Sequence, residues 1–213
     1  MKAMGEACTP QECQLEAAVR GVRDWSGSGI RYEPVSGGIS NSNWRVEVSG
    51  LNTAYFFKVP GAGTEMFIDR RTAHDASVKA AQTGYGAPVF AFLEEFGVEV
   101  FEFMEGWRAS SNQDFLDRDV RHNALHALKA FNDQSPLCQT KTVFDMIAEH
   151  QRQVEELQGC TPSDDAWLRR QCDRARGALQ ASGIDLAPCM NDTLAGNFML
   201  NDRRQIRLVD FEY

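Results

Sequence analysis

Asp192 is followed after four residues by Asn197, in the run Asn191-Asp192-Thr193-Leu194-Ala195-Gly196-Asn197, and Asp210 lies thirteen positions further on. Such a set suits phosphoryl transfer, which needs one group to orient and deprotonate an alcohol and others to hold metal ions against phosphates. In an Asp-x4-Asn catalytic loop the aspartate is the base and the asparagine a magnesium ligand. Two short apolar runs, Phe198-Met199-Leu200 and residues 206–209, flank the turn formers Asn201-Asp202-Arg203-Arg204. A hairpin there folds Asp210 back towards Asn197. Asp210-Phe211-Glu212 then matches the metal-binding Asp-Phe-Gly of protein kinases except at its third residue. Asn, Asp and Gly are also ordinary turn residues, so the loop gains its weight from Asp210 following a Leu-Val strand.

Upstream, Ser36-Gly37-Gly38-Ile39-Ser40-Asn41-Ser42-Asn43 connects two strand-like runs. A loop of this kind offers backbone N–H groups to phosphate oxygens where side chains would obstruct. It lacks the GxGxxG pattern, and no GxxxxGK sequence occurs, which removes the Walker-type alternative. Lys58 stands in the next strand, Tyr55-Phe56-Phe57-Lys58-Val59, the position of a phosphate-contacting lysine. A lysine in so aromatic a strand is costly unless its charge is used.

The elements that must position these residues follow from periodicity. Thr9, Pro10 and Glu12 mark a helix start, and the helix should run to about residue 24, where a Ser/Gly-rich stretch breaks it. Residues 32–35, Trp44-Val46-Val48 and Tyr55-Phe57-Val59 alternate with period two and predict an antiparallel sheet. A helix is expected over 65–82, then strands over 87–93 and 98–104 around a turn at 94–97. Beyond Gly106, Leu116, Val120, Leu125 and Leu128 repeat at helical spacing, as do Val143, Ile147, Val154 and Leu157. Another helix spans 164–181 and stops at Gly183. The plan is α+β: a protein-kinase-like two-lobe fold with an antiparallel-sheet N-lobe over 1–104, a hinge at 102–107 and a mainly helical C-lobe over 108–213.

A chain of 213 residues that is 43% hydrophobic, with 13 Phe and 4 Trp, can bury a real core. Its net charge of −8 argues against a nucleic-acid polymer as partner. No run of apolar residues suits a signal peptide or a membrane span, so a soluble, cytoplasmic protein is expected. The six cysteines form no CxxC pair and read as free structural thiols. His122 and His126 have the i, i+4 spacing of a metal pair, but no third ligand follows in the expected pattern. Trp107 and Trp167 read as core or lobe-interface residues.

Four segments carry a resemblance: Phe67-Ile68-Asp69-Arg70, Phe101-Glu102-Phe103-Met104-Glu105-Gly106, Cys189-Met190-Asn191-Asp192 with Asn197-Phe198, and Arg207-Leu208-Val209-Asp210-Phe211-Glu212-Tyr213. From about Tyr32 to Tyr213 the chain resembles the bacterial choline/ethanolamine kinases, relatives of the aminoglycoside phosphotransferases. The resemblance implies ATP and magnesium as cofactors and a small amino alcohol as the other partner. It implies Asp192 as catalytic base, Asn197 and Asp210 as magnesium ligands, Lys58 on the ATP phosphates beneath the Gly37-Gly38 loop, and a hinge from Glu102 to Met104 whose backbone meets adenine.

The sequence departs from the family in three places. Met190 stands where the family has a histidine, and Ala73 where it has the glutamate that pairs with the strand lysine; Asp69, one turn earlier, is the candidate substitute. The chain also stops at Tyr213, where the family continues into the helices that build the acceptor pocket, so it reads as C-terminally truncated and is expected to bind ATP better than it orients an acceptor. The departures leave a second reading, a nucleotide-binding module without turnover. A third, an aminoglycoside-type phosphotransferase, usually has His-Gly-Asp at the loop, where this chain has Asn191 before the aspartate.

Overall fold

The computed structural model describes residues 1–38 and 40–212; Ile39 of the glycine loop and Tyr213 of the Asp-Phe-Glu-Tyr ending lie outside the described residues. The chain forms two compact units, one of Met1–Gln134 with Pro188–Tyr213 and one of Ser135–Ala187.

In the first unit, strands β1 (Lys2–Ala3), β2 (Ile30–Val35), β3 (Asn41–Val48), β4 (Tyr55–Pro60), β5 (Val89–Leu93) and β6 (Val98–Glu102) form one sheet in the order β1-β2-β3-β4-β6-β5. Every neighbouring pair is antiparallel. Period-two patterning explains its buried face: Tyr32, Val46, Phe57, Val59, Val98 and Val100 are wholly buried. They pack with Leu15, Ala18 and Val19 of helix α1 (Pro10–Arg20). Each large apolar side chain hidden this way contributes about 1.5–3 kcal/mol.

Helix α1 starts at the expected capping box, with Thr9 as cap and Glu12 answering it. It ends at Arg20 rather than near residue 24, and a short 3-10 turn, Arg23–Trp25, follows. That turn inserts Trp25 into the core against Tyr55, at 4.7 Å between ring centroids. Helix α2 runs Arg70–Gln82, not from residue 65. Asp69 caps it, its carboxylate accepting from Arg71 N and Thr72 N, so the helix cannot extend back through it. Residues Thr64–Met66 form a separate 3-10 turn.

The rest of this unit includes β7 (Trp107–Ala109), a strand not apparent in the sequence, and helix α3 (Arg118–Asn132). Strands β8 (Phe198–Asn201) and β9 (Ile206–Leu208) are the expected hairpin, and β7 adds to it to give the order β7-β8-β9. Its turn is held by Asn201, whose carboxamide oxygen accepts from Arg203 N and Gln205 N. Leu208 N donates to Tyr85 O at 2.6 Å, tying the hairpin to the loop ahead of β5. Helix α3 buries Val120, Ala124, Ala127 and Phe131 and packs on β9; of the residues expected on its apolar stripe, Val120 is buried, Leu125 is exposed, and Leu116, also exposed, precedes the helix in the 3-10 turn Asp114–Leu116.

The second unit contains α4 (Val143–Glu156), capped by Thr142 and Asp145, and α5 (Asp165–Ser182), ended by Gly183 at φ 85°. Trp167 is 53% exposed there, which corrects its reading as a core residue. Among the described residues no helix is long and apolar enough to cross a membrane.

Candidate functional site

A cleft of about 460 Å³ in the first unit is lined by Gly37 and Gly38 of the glycine loop, Lys58 of β4, and Asn197 and Asp210 of the hairpin segment. Glu102 and Met104, at the end of β6 and just beyond, line it as well. Seven of the eight residues singled out from the sequence thus share one cavity. The eighth, Asp192, adjoins it through Asn197, whose Nδ2 donates to both Asp192 O and Asp192 Oδ2 at 3.0 Å.

Lys58 Nζ lies 2.6 Å from Asp210 Oδ1 and 3.0 Å from Glu212 Oε1. Burial alone would push this lysine down, but the carboxylates of Asp210, Glu212 and Glu99 outweigh it and hold the amine above its ordinary value. The charge buried in an aromatic strand is therefore paired. The substitute partner expected on α2 is not the one found: Asp69 is committed to capping, Ala73 is buried, and Asp75 pairs with Lys79 at 2.8 Å. Glu212, unassigned in the sequence reading, supplies the second carboxylate. The available signal was the acidic residue standing where Asp-Phe-Gly has glycine.

The hairpin brings Asp210 beside Asn197 as its two strands require, with Val209 N donating to Asn197 O at 3.0 Å. Asp210 adopts φ 71°, the left-handed region that Asp tolerates better than most residues. Such a conformation costs on the order of 1–3 kcal/mol and persists where surrounding contacts over-determine it. The contacts here are the Lys58 pair and the packing of Phe211 on Phe131, 4.9 Å between centroids. The loop ahead of β8 is anchored by Ser110, whose hydroxyl donates to Ala195 O at 2.6 Å.

Asn197 and Asp210 suit a hard divalent cation. With the Asn197 nitrogen donating to Asp192, its carbonyl oxygen is the atom suited to a metal, and Asp210 adds carboxylate oxygens on the same cleft. No group of three His, Cys, Asp or Glu able to hold a metal occurs among the described residues, and a magnesium ion held by these two side chains would complete its shell with phosphate oxygens and water. His122 and His126 face each other with Nε2 atoms 2.9 Å apart.

Gly37 and Gly38 have φ values of 112° and 87°, open to glycine and rarely to other residues, and Asn43 Nδ2 donates to Gly37 O at 2.9 Å. On the other wall, Glu102 N donates to Pro88 O at 2.9 Å. The reciprocal bond of an antiparallel pair cannot form, because proline has no N–H. The Glu102 carbonyl is thereby released from the ladder at the cleft edge. Trp107, expected in the core or at the lobe interface, forms part of the cleft wall with the Arg207 guanidinium 5.6 Å from its ring.

The twisted sheet with its lysine strand, the glycine loop above it and the Asp-x4-Asn segment with a returning Asp210 define a protein-kinase-like fold. The chain belongs to the choline/ethanolamine kinase family, whose profile matches residues 32–213. Many solved structures share its fold, and three illustrate the likeness. Choline kinase LicA from Streptococcus pneumoniae superposes with a TM-score of 0.69 at 20% identity, over 86% of this chain and 63% of that one. A choline/ethanolamine kinase family protein from Mesorhizobium loti gives 0.70 at 22% identity, over 95% and 64%. Plasmodium vivax ethanolamine kinase gives 0.72 at 17%, over 95% and 61%. The chain thus spans less than two thirds of the length of these relatives. Aminoglycoside phosphotransferases are more distant, with TM-scores of 0.56 and 0.58 at 13% identity. No curated protein sequence matches the chain.

Proposed function

We propose that this chain binds Mg-ATP in the cleft and passes the γ-phosphoryl group to the hydroxyl of a small amino alcohol such as choline or ethanolamine. The observation that carries the reading is the meeting of Lys58 and Asp210, 152 positions apart, beside Asn197 and under Gly37 and Gly38, in a chain of this family. The AMP complex of LicA supports nucleotide use. Residues 1–104 act as the nucleotide lobe, 102–107 as hinge and 108–213 as catalytic lobe. An ATP-consuming reaction of this kind belongs in the cytoplasm, where ATP is supplied.

The Glu102 carbonyl and the Met104 N–H receive the adenine edge, one accepting from its amino group and the other donating to a ring nitrogen. Backbone N–H groups of Gly37 and Gly38 cover the phosphates, and Lys58 binds their oxygens. Asp192 takes the proton of the attacking hydroxyl while Asn197 fixes its orientation. Asn197 and Asp210 hold magnesium, which neutralises charge on the transferring phosphoryl group. Met190 and Ala73 favour a second reading, a nucleotide-binding module without turnover.

Transfer of labelled γ-phosphate should decide between them when choline, ethanolamine and an aminoglycoside are offered. Magnesium-dependent labelling of choline or ethanolamine is expected, slow beside the tightness of Mg-ATP binding because this chain holds the nucleotide better than it orients the acceptor. Labelling of the aminoglycoside alone would move the acceptor class, and tight Mg-ATP binding without any labelled product would favour the second reading.

A further inference from the structure

We infer that Glu212 is the positioning residue for Lys58, its buried carboxylate holding the ammonium at the cleft when Asp210 is drawn onto metal; the inference rests on the nucleotide reading above. Four side chains converge on this one carboxylate. Lys58 Nζ reaches Oε1 at 3.0 Å, and Arg70 Nη1 bonds the same oxygen. Ser40 Oγ donates to Oε2 at 2.9 Å, and Asn41 Nδ2 donates to Oε1 and Oε2 at 2.9 and 3.1 Å. These partners come from β4, the first residue of α2, and the junction of the glycine loop with β3. The Glu212 side chain is 1% exposed.

A carboxylate so desolvated stays ionised only when its partners repay the loss of water. Lys58, Arg70 and Asn41 supply that repayment here. Asp210 is the nearer partner of Lys58, yet its side chain is 33% exposed on the cleft and its oxygens are those offered to a cation. A divalent ion competes with Lys58 for them, which leaves Glu212 as the constant anion beside the amine. In protein kinases a helix glutamate has this duty; here α2 presents Ala73. Glu212 does more than replace it, because the same carboxylate ties the glycine-loop arm and the start of α2 to the segment that carries Asp210.

Glu212→Gln keeps the shape and removes the charge, and Ala73→Glu offers a carboxylate from the helix. Position 73 shares a helix face with Ser77, one turn on, which lines the cleft with Lys58. Calorimetry is expected to show Mg-ATP binding on the order of tenfold weaker in Glu212→Gln. Most of the loss should return in the Ala73→Glu/Glu212→Gln double variant, with circular dichroism confirming that both are folded. Unchanged affinity in the single variant, or no recovery in the double, overturns the inference. A parent protein that does not bind Mg-ATP fails the nucleotide reading instead. The test then passes to hydrogen exchange: Glu212→Gln is expected to speed exchange at the backbone N–H groups of residues 40–43 and 70–73, which the carboxylate ties to the Asp210 segment through Ser40, Asn41 and Arg70, and unchanged exchange at both overturns the inference.

Discussion

Asp210→Ala is expected to weaken Mg-ATP binding on the order of a hundredfold, since even outer-shell partners of metal sites are worth about 10–100-fold in affinity and Asp210 is placed to contact the ion itself. The variant also removes the nearest anion from Lys58, 2.6 Å away, so the amine keeps Glu212 as its paired carboxylate. Binding should therefore fall without collapse of the sheet, because Phe57 and Val59 on the buried face of β4 are untouched. Calorimetry should show a larger loss than for Asp192→Ala, whose position beside Asn197 gives it no place among the metal ligands. Equal and negligible losses for the two variants would remove the metal assignment.

Asp192→Asn should act on turnover rather than on binding. Its carboxamide oxygen can still accept from Asn197 Nδ2, so the loop geometry seen at 3.0 Å survives. What disappears is the capacity to take a proton from the acceptor hydroxyl. General base catalysis of this kind is worth about 10²–10⁴-fold, and kcat should fall by that order while the affinity for Mg-ATP moves only a few-fold. Steady-state rates with the acceptor that supports transfer, set beside nucleotide binding, check this. A kcat close to that of the parent would mean that another group takes the proton.

The parts of this molecule legible in the sequence are those with local periodicity or a fixed spacing. Alternation in Tyr55-Phe57-Val59 marks β4 without reference to its partners, and Thr9 with Glu12 marks the start of α1 within four residues. Asp192, Asn197 and Asp210 can be found because a short loop and a hairpin bring them together. The pairing of Lys58 with Glu212, and of Ser40 with Glu212 across 172 positions, leaves no local trace. Helix α2 starts later than its sequence suggests because Glu65 and Met66 suit a helix as well as a 3-10 turn, and only Asp69 engaging Arg71 N and Thr72 N decides between them. Leu116 falls in a 3-10 turn for a similar reason, since Asp117 caps α3 behind it, and on α3 itself the buried face carries Val120, Ala124, Ala127 and Phe131 rather than Leu125.

The central claim is that the cleft beneath Gly37 and Gly38 takes ATP together with magnesium through Asn197 and Asp210. Titration calorimetry of the protein with ATP, run once with magnesium and once with chelator, tests it most directly. Affinity at least about tenfold higher with the metal is expected, because magnesium would be held by few protein oxygens together with the phosphates, and that difference should vanish in Asp210→Ala. Equal affinity in the two titrations, or no ATP binding in either, would contradict it.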